Sequence, residues 1–451
     1  MPATDASKSP FWNKIKAFVS QDAFPGVFLV FAALLALIFA NCGLASTYFS
    51  WWDLQLTFGF GSWHLAMTFG SFVNDFLMAI FFLMIGLEVK REILAGELST
   101  GKKAAFPIVA ALGGMIVPAA IYIAFSLVMQ GGDIKGFGIP VATDIAFALG
   151  VLMLLGKRVP VALKILLMSL AVSDDIGGII VIAIFYSSNI AINYLLIALV
   201  ATIFLFVLNR SGVRSLVPYL LVGLVIWFCF EHSGIHAAVS GILLAFTIPA
   251  AAKIDIKQYT AEGRAAMNKL DQAGSSLIKM KKIVLTEHQQ EILEKLGAKY
   301  KDITSPLLRL EHGLAKPVAF CILPLFAFAN AGVDLSIGEI NLFSPIALGI
   351  MFGLIVGKPL GIAGFTFLVS KLGWIEKPVS TTWKQIIAVG MIGGIGFTMS
   401  IFITLLAFTG PDNYDLVASS KLSVLLGSLI AGIMGAIYML RVTKKPQDAE
   451  T

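Results

Sequence analysis

Twelve apolar runs recur along the 451 residues, near 24–41, 70–87, 106–127, 137–155, 161–186, 191–208, 216–230, 236–252, 316–331, 345–370, 384–408 and 418–440. A helix needs about 20 apolar residues to cross a bilayer. In lipid the backbone must satisfy its own hydrogen bonds, which leaves helices or a closed barrel. Runs of this length predict an all-α polytopic membrane protein with twelve transmembrane helices. Composition agrees, because only 13% of the residues are charged against about 25% in soluble domains. The first run follows Lys8, Lys14 and Lys16 like a signal peptide. It is too long for a cleaved apolar core and reads as the first span. Cys42, Cys229 and Cys321 are odd in number and lack metal-site spacing, so no disulfide framework is expected.

Basic residues orient these runs. Of 33 Lys and Arg, 27 fall in loops on one side, five lie in or at the ends of spans, and Lys135 alone lies on the other side. Basic loops stay cytoplasmic. The chain then divides into a cytoplasmic N-terminus (1–23), spans one to eight (24–252), a long cytoplasmic loop (253–315), spans nine to twelve (316–440) and a cytoplasmic C-terminus (441–451). The net charge of +6 expresses this bias. Membrane lipid is the expected partner, and nucleic acid is not. The outer loop 42–69 has no Lys or Arg, and its aromatic run Tyr48 to His64 partly alternates, with Gly61-Ser62 as a turn. It reads as a β-hairpin or as an interfacial aromatic belt. In loop 253–315, Thr286 and Gln289 read as a capping box opening an amphipathic helix with Ile292, Leu293 and Leu296 on one side. Ser305-Pro306 reads as an N-cap and first turn leading to span nine. The loop as a whole reads as a surface insertion rather than a separate domain.

Ionisable residues inside spans are the functional candidates, because charge at membrane depth is costly. Asp174 and Asp175 sit side by side in span five, within Ala171-Val-Ser-Asp-Asp-Ile-Gly-Gly. Such a pair persists only where a cation, a proton or a basic side chain binds. Asp144 lies in span four and Lys358 in span ten, with Asp75 in span two a weaker candidate. Pro140 precedes Thr143-Asp144 and disrupts its helix. Span eleven has a counterpart in Ile392-Gly-Gly-Ile-Gly-Phe-Thr-Met-Ser, where Thr398 again follows the break. Spans three to five and ten to twelve thus read as inverted repeats, each with a discontinuous middle helix, four and eleven, crossing at the midplane. Asp144 would offset the positive helix ends there and Lys358 the negative ones. Packing sites rich in glycine are the simpler alternative. Adjacent helical residues point about 100° apart, so one aspartate meets Lys358 while the other faces a cavity. Carboxylate oxygens bind protons and hard cations alike. Competition of H⁺ and Na⁺ for one alternately exposed site is sufficient for exchange.

The segments Ala142-Thr-Asp-Ile-Ala-Phe-Ala-Leu-Gly, Ser173-Asp-Asp-Ile-Gly, Gly357-Lys-Pro-Leu-Gly, Gly86-Leu-Glu-Val-Lys-Arg-Glu and Leu323-Pro-Leu-Phe-Ala-Phe-Ala-Asn-Ala-Gly closely resemble the NhaA-type bacterial sodium/proton antiporters, from about residue 20 to 440. That family is itself an example of inverted repeats, so the repeat reading is not independent of the resemblance. The resemblance implies twelve helices with crossed breaks in four and eleven, a bacterial inner-membrane location, and electrogenic exchange of Na⁺ or Li⁺ for H⁺ with no cofactor. It makes Asp174 and Asp175 the carriers of Na⁺ and H⁺, places Thr143 and Asp144 by the crossing, and makes Lys358 the basic partner, with Asp174 the favoured mate of Lys358 and Asp175 the more exposed ligand. It implies a pH-response cluster of Glu88, Arg91 and Glu92 at the end of span two, with Glu311 and His312 at the start of span nine. His236, opening span eight, is a second pH-linked candidate. Otherwise these residues read as surface ion pairs and a polar helix end. Loop 42–69 resembles the family's dimerisation hairpin, so a homodimer is expected. The chain departs from the family after His312, where Ala315 and Lys316 stand in a stretch that often carries a further histidine, and in its longer loop. These departures bear on the pH set-point and not on exchange.

Competing readings are an intramembrane aspartyl protease, a Na⁺-coupled solute symporter and a channel. The chain lacks the protease's Tyr-Asp and Gly-x-Gly-Asp contexts, so no enzyme is expected. Symport on the same scaffold remains the alternative. A channel is disfavoured because no filter loop repeats.

Overall fold

The computed structural model describes residues 24–60, 63–187, 190–251, 304–335, 340–378, 381–410 and 413–443, with isolated positions between 252 and 303. The expected segment 1–23, the Gly61-Ser62 turn, the residues Thr286, Gln289, Ile292, Leu293 and Leu296 of the expected loop helix, and residues 444–451 lie outside the described residues. In chain order the helices are α1 (Phe24–Asn41), α2 (Ala45–Trp52), α3 (Phe69–Ala95), α4 (Lys103–Val128), α5 (Ile134–Leu154, its first half a 3₁₀ turn), α6 (Val161–Phe185), α7 (Ile192–Arg210), α8 (Leu216–Glu231), α9 (Ala238–Thr247), α10 (Pro306–Asn330), α11 (Pro345–Lys371), α12 (Trp383–Ile392), α13 (Phe397–Ala407) and α14 (Tyr414–Val442). Among the described residues, nine of these are long and apolar enough to cross a bilayer. A tenth crossing is α12 with α13, bent by 52° at their break. Of the twelve spans expected, α8 and α9 are apolar but shorter, at 16 and 10 residues.

One boundary differs from expectation. Helix α3 continues past residue 87 to Ala95, because Glu88, Lys90, Arg91 and Glu92 are good helix formers that lower hydropathy without ending the helix. Helix α10 begins at Pro306, with Ser305 accepting from Leu308 N at 3.3 Å as N-cap. This is the N-cap and first turn expected at Ser305-Pro306.

Between α2 and α3, strands β1 (Gln55–Phe60) and β2 (Trp63–Thr68) pair antiparallel from Gln55↔Thr68 to Phe60↔Trp63. The first part of the aromatic run is helical instead. In α2, Tyr48 is buried and donates to Phe328 O at 2.6 Å, which ties the helix to α10. The three cysteines are free.

Lys358 is placed by glycine. Gly349, Gly353, Gly357 and Gly361 recur every fourth residue of α11 and face α4 and Pro140. A Cβ on Gly361 would lie 2.1 Å from Gly113 O, and one on Gly113 would lie 2.2 Å from Gly361 O. Backbones in membranes approach this closely only through small residues. Residues Gly353–Gly357 form a π-helical stretch that ends immediately before Lys358, a distortion that recurs at functional sites.

Candidate ion-binding site at two broken helices

The two chain breaks lie against each other. In α5 the 3₁₀ turn ends at Val141, Ala142 is extended, and the α-helix restarts after Asp144. Between α12 and α13 the break is Gly393–Gly396. Asp144 N donates to Ile395 O at 2.7 Å, and Ser400 Oγ donates to Ile139 O at 2.6 Å. Each break thus satisfies backbone groups that the other exposes, as the bilayer requires.

Asp144 caps two helices at once. Its Oδ1 accepts from Phe147 N at 3.0 Å, at the start of the second half of α5. Its Oδ2 accepts from Thr398 N at 3.2 Å, and from the Thr398 hydroxyl, at the start of α13. One buried carboxylate, 2% exposed, therefore faces two positive helix ends. Ser428 of α14 completes the second end by accepting from Gly396 N at 3.2 Å and Phe397 N at 3.1 Å.

Lys358 and Asp174 form a fully buried ion pair, at 0% and 3% exposure. Lys358 Nζ also donates to Thr143 Oγ1 at 2.9 Å. The single Thr143 hydroxyl proton is shared between Asp174 Oδ2 at 2.7 Å and Gly393 O at 2.9 Å. Lys358 reaches the carbonyl end of α12 through Thr143. Asp174 Oδ1 is buried and has no hydrogen-bond partner among the described residues.

Asp175 points elsewhere, as the turn between adjacent helical positions dictates. It is 5% exposed and lines a cavity of about 210 Å³ together with Thr143, Asp144, Met84, Met399 and Glu88. Its Oδ2 also lacks a hydrogen-bond partner. The doublet therefore offers two open oxygens. A carboxylate desolvated without donors is an acceptor for a hard cation or a proton. Thr143 and Asp144 line the same cavity, but the other contacts of Asp144 are already committed to the two helix ends.

At the far side of this cavity, Arg91 meets Glu311 at 2.9 Å, Glu92 at 3.0 Å and Glu88 at 3.9 Å. His312, the next residue after Glu311, is exposed and makes no ion pair with the described residues. His236 lies apart from this cluster, with Nε2 3.4 Å from Asp75 Oδ1 and Nδ1 accepting from Ala238 N at 3.2 Å. The acceptor role of Nδ1 leaves the ring proton on Nε2, facing Asp75. The structure thus brings Asp174, Lys358, Thr143, Asp144 and Asp175 together, and Glu88, Arg91, Glu92 and Glu311 in a second group. It leaves His312 and His236 outside both.

A family model described as Na⁺/H⁺ antiporter 1 matches residues 16–439. The chain belongs to this family. Among its relatives, a Na⁺/H⁺ antiporter NhaA of Helicobacter pylori (strain HPAG1) is 48% identical over 432 residues, covering 96% of each chain. An NhaA of Wolinella succinogenes is 46% identical over 94% of this chain and 92% of its own. The NhaA 2 of Helicobacter hepaticus is 44% identical over 96% and 97%.

Three residues of the antiporter fold had escaped sequence reasoning. Ser428 and Ser400 hold the broken helices, yet a hydroxyl inside a span ordinarily bonds to its own helix and carries no mark. Lys90 donates to Phe246 O at 2.7 Å and Ile248 O at 2.6 Å, and so caps the carbonyl end of α9. The brevity of α9, which leaves its last carbonyls within reach of α3, was the available signal.

Proposed function

We propose that the chain is an electrogenic exchanger of Na⁺ or Li⁺ for H⁺, with Asp175 and Asp174 carrying the ion and the protons in turn. The observation that carries this reading is the pair of buried carboxylate oxygens without donors, Asp174 Oδ1 and Asp175 Oδ2, beside Lys358. When Na⁺ is seated, the doublet supplies the charge, and Thr143 supplies a hydroxyl oxygen. When protons replace Na⁺, the doublet is neutral and needs no counter-ion. A site that reorients only when occupied by one or the other couples the two flows by mass action. The Lys358–Asp174 pair would break or re-form as the load changes, because Asp174 cannot serve both Lys358 and a cation with the same oxygen.

Twelve spans with α5 and α12–α13 crossing at their breaks would place Asp144 and Thr143 at the midplane. In the basic-side-in orientation the Asp175 cavity opens toward the Glu88 end, which would be cytoplasmic, and both termini would be cytoplasmic in a bacterial inner membrane. Arg91 with Glu88, Glu92 and Glu311 borders that route, which suits a pH-response role for this group. His312 and His236 would act separately from it. The β1–β2 hairpin at the outer face would join a homodimer.

The test is proton movement in proteoliposomes with an acidic interior and a pH-sensitive dye. Adding NaCl or LiCl outside should give rapid dequenching, and KCl should not. Absence of cation-dependent proton movement across the range from pH 6 to pH 9 would refute exchange. Solute-dependent Na⁺ uptake in the same vesicles would establish symport instead.

A further inference from the structure

Three helices that wall the doublet cavity share an aromatic cluster beside it. Nearest the doublet, Met84 and Phe81 of α3, Leu323 of α10 and Met399 of α13 line the cavity. About one turn farther along α10 and α13, toward the Asp75 end, stand Phe326 and Phe402, and Phe82, between Phe81 and Met84 on α3, meets them; the three are 0%, 1% and 1% exposed. Phe402 is their centre. Its ring lies 5.6 Å from that of Phe82 and 6.1 Å from that of Phe326. Beyond them the character changes. Asn330 Nδ2 donates to Asn74 Oδ1 at 2.7 Å, and His236 faces Asp75 at 3.4 Å. The His236 ring stands edge-on to Phe402, 5.0 Å away and at 87°. Polar side chains of α3, of α10 and of the segment before α9 therefore meet just past a buried aromatic layer, on the side away from Glu88.

We propose that Phe402, closed against Phe82 and Phe326, is the gate between the doublet and the opposite face, and that the ion's second route follows the seam of α3, α10 and α13 past Asn74, Asp75, Asn330 and His236. This rests on the transport reading of the doublet. Apolar constrictions stop hydrated ions because the ring faces offer nothing in place of water. Phe402 is the ring common to both contacts, so withdrawing that one side chain breaks the layer. Phe402 is the member able to move with the ion's load. It rides on α13, whose start is held by Asp144 through Thr398 and by Ser428, after the glycine break that bends the span by 52°. A small tilt of α13 about that break withdraws Phe402, whereas Phe82 and Phe326 lie within continuous helices. The asparagine and Asp75–His236 pairs then offer oxygen and nitrogen contacts to an ion leaving the gate.

The test uses a background in which Cys42, Cys229 and Cys321 are serine, with Leu323→Cys as a reporter in the cavity. Right-side-out vesicles receive a membrane-impermeant charged thiol reagent. With Phe402 intact the reporter should react slowly, and in Phe402→Ala at least about tenfold faster. Phe402→Leu, which refills the gap, should return to within about twofold of the starting rate. Inside-out vesicles should label in every variant, which reports that the cavity is present. A second readout is ²²Na⁺ efflux with pH equal on both sides and voltage clamped by ionophore. Phe402→Ala should leak Na⁺ and Phe402→Leu should not. If Phe402→Ala fails to fold, Phe326→Ala serves in its place, with the same expectation. Unchanged outside labelling in a variant that labels normally from inside would overturn the gate. Absence of exchange in the parent with the labelling difference intact would overturn the transport reading and leave the aromatic barrier standing.

Discussion

Separating Lys358 from Asp174 gives a prediction with a definite sign and size. Both side chains are buried, and Asp174 Oδ2 receives Lys358 Nζ and the Thr143 hydroxyl together. Asp174→Asn leaves a buried ammonium facing only a hydroxyl and an amide. Lys358→Gln leaves a buried carboxylate with one hydroxyl donor. Stranding one member of a buried pair costs about 3–5 kcal/mol, whereas replacing both members is often close to neutral. The double variant should therefore be more stable than the two single losses add up to, by at least about 2 kcal/mol. pH separates the singles. A proton relieves the stranded carboxylate, so the deficit of Lys358→Gln should shrink as pH falls. Losing a proton relieves the stranded ammonium, so the deficit of Asp174→Asn should shrink as pH rises. Each slope has a limit of about 1.4 kcal/mol per pH unit for one proton. Equilibrium unfolding in mixed micelles, at several pH values for the four proteins of the cycle, measures both quantities. Additivity within about 0.5 kcal/mol, or parallel pH slopes in the two singles, would refute the pairing.

Other consequences of the same geometry can be checked separately. Asp144→Ala removes caps from two helix ends and Ser428→Ala removes one end's partner, at about 1 kcal/mol per cap, so unfolding should rank Asp144→Ala as the more destabilised by about that amount. Gly361→Ala places a methyl 2.1 Å from Gly113 O and should cost at least about 1–3 kcal/mol with loss of exchange, while Gly364→Ala, with nothing within 4 Å, should be neutral or stabilising. Arg91→Ala removes the common counter-charge of Glu88, Glu92 and Glu311 and should displace the pH of half-maximal exchange to the alkaline side, by about one unit, as read from dequenching against pH.

The residues that meet at the two breaks were legible because a charge in an apolar run has few explanations. Asp174, Asp175, Asp144 and Lys358 each interrupt such a run, and Pro140 and the glycines at 393–396 mark where helices cannot continue. What could not be read is how the two breaks satisfy each other. Asp144 and Thr398 are 254 residues apart, and neither carries a local signal of the other. Ser428 is hidden for the same reason. One helix end was missed where hydropathy and helicity part company. The last turns of α3, from Glu88 to Ala95, are good helix-forming sequence, yet too polar to register as membrane. The aromatic spacing of Tyr48, Trp51 and Trp52 fits a short helix as well as a strand, and burial of Tyr48 against α10 decides for the helix.

Competition between Na⁺ and H⁺ at the doublet is the claim on which the account stands. The direct measurement is the Na⁺ concentration that half-saturates exchange, determined in proteoliposomes from pH 6 to pH 9, for the parent and for Asp175→Asn. In the acid range it should fall by about tenfold per pH unit if one proton is displaced, and more steeply if two are, with the maximal rate little changed. Asp175→Asn should abolish the signal. A half-saturating Na⁺ concentration independent of pH, or exchange that survives in Asp175→Asn, would contradict a shared site.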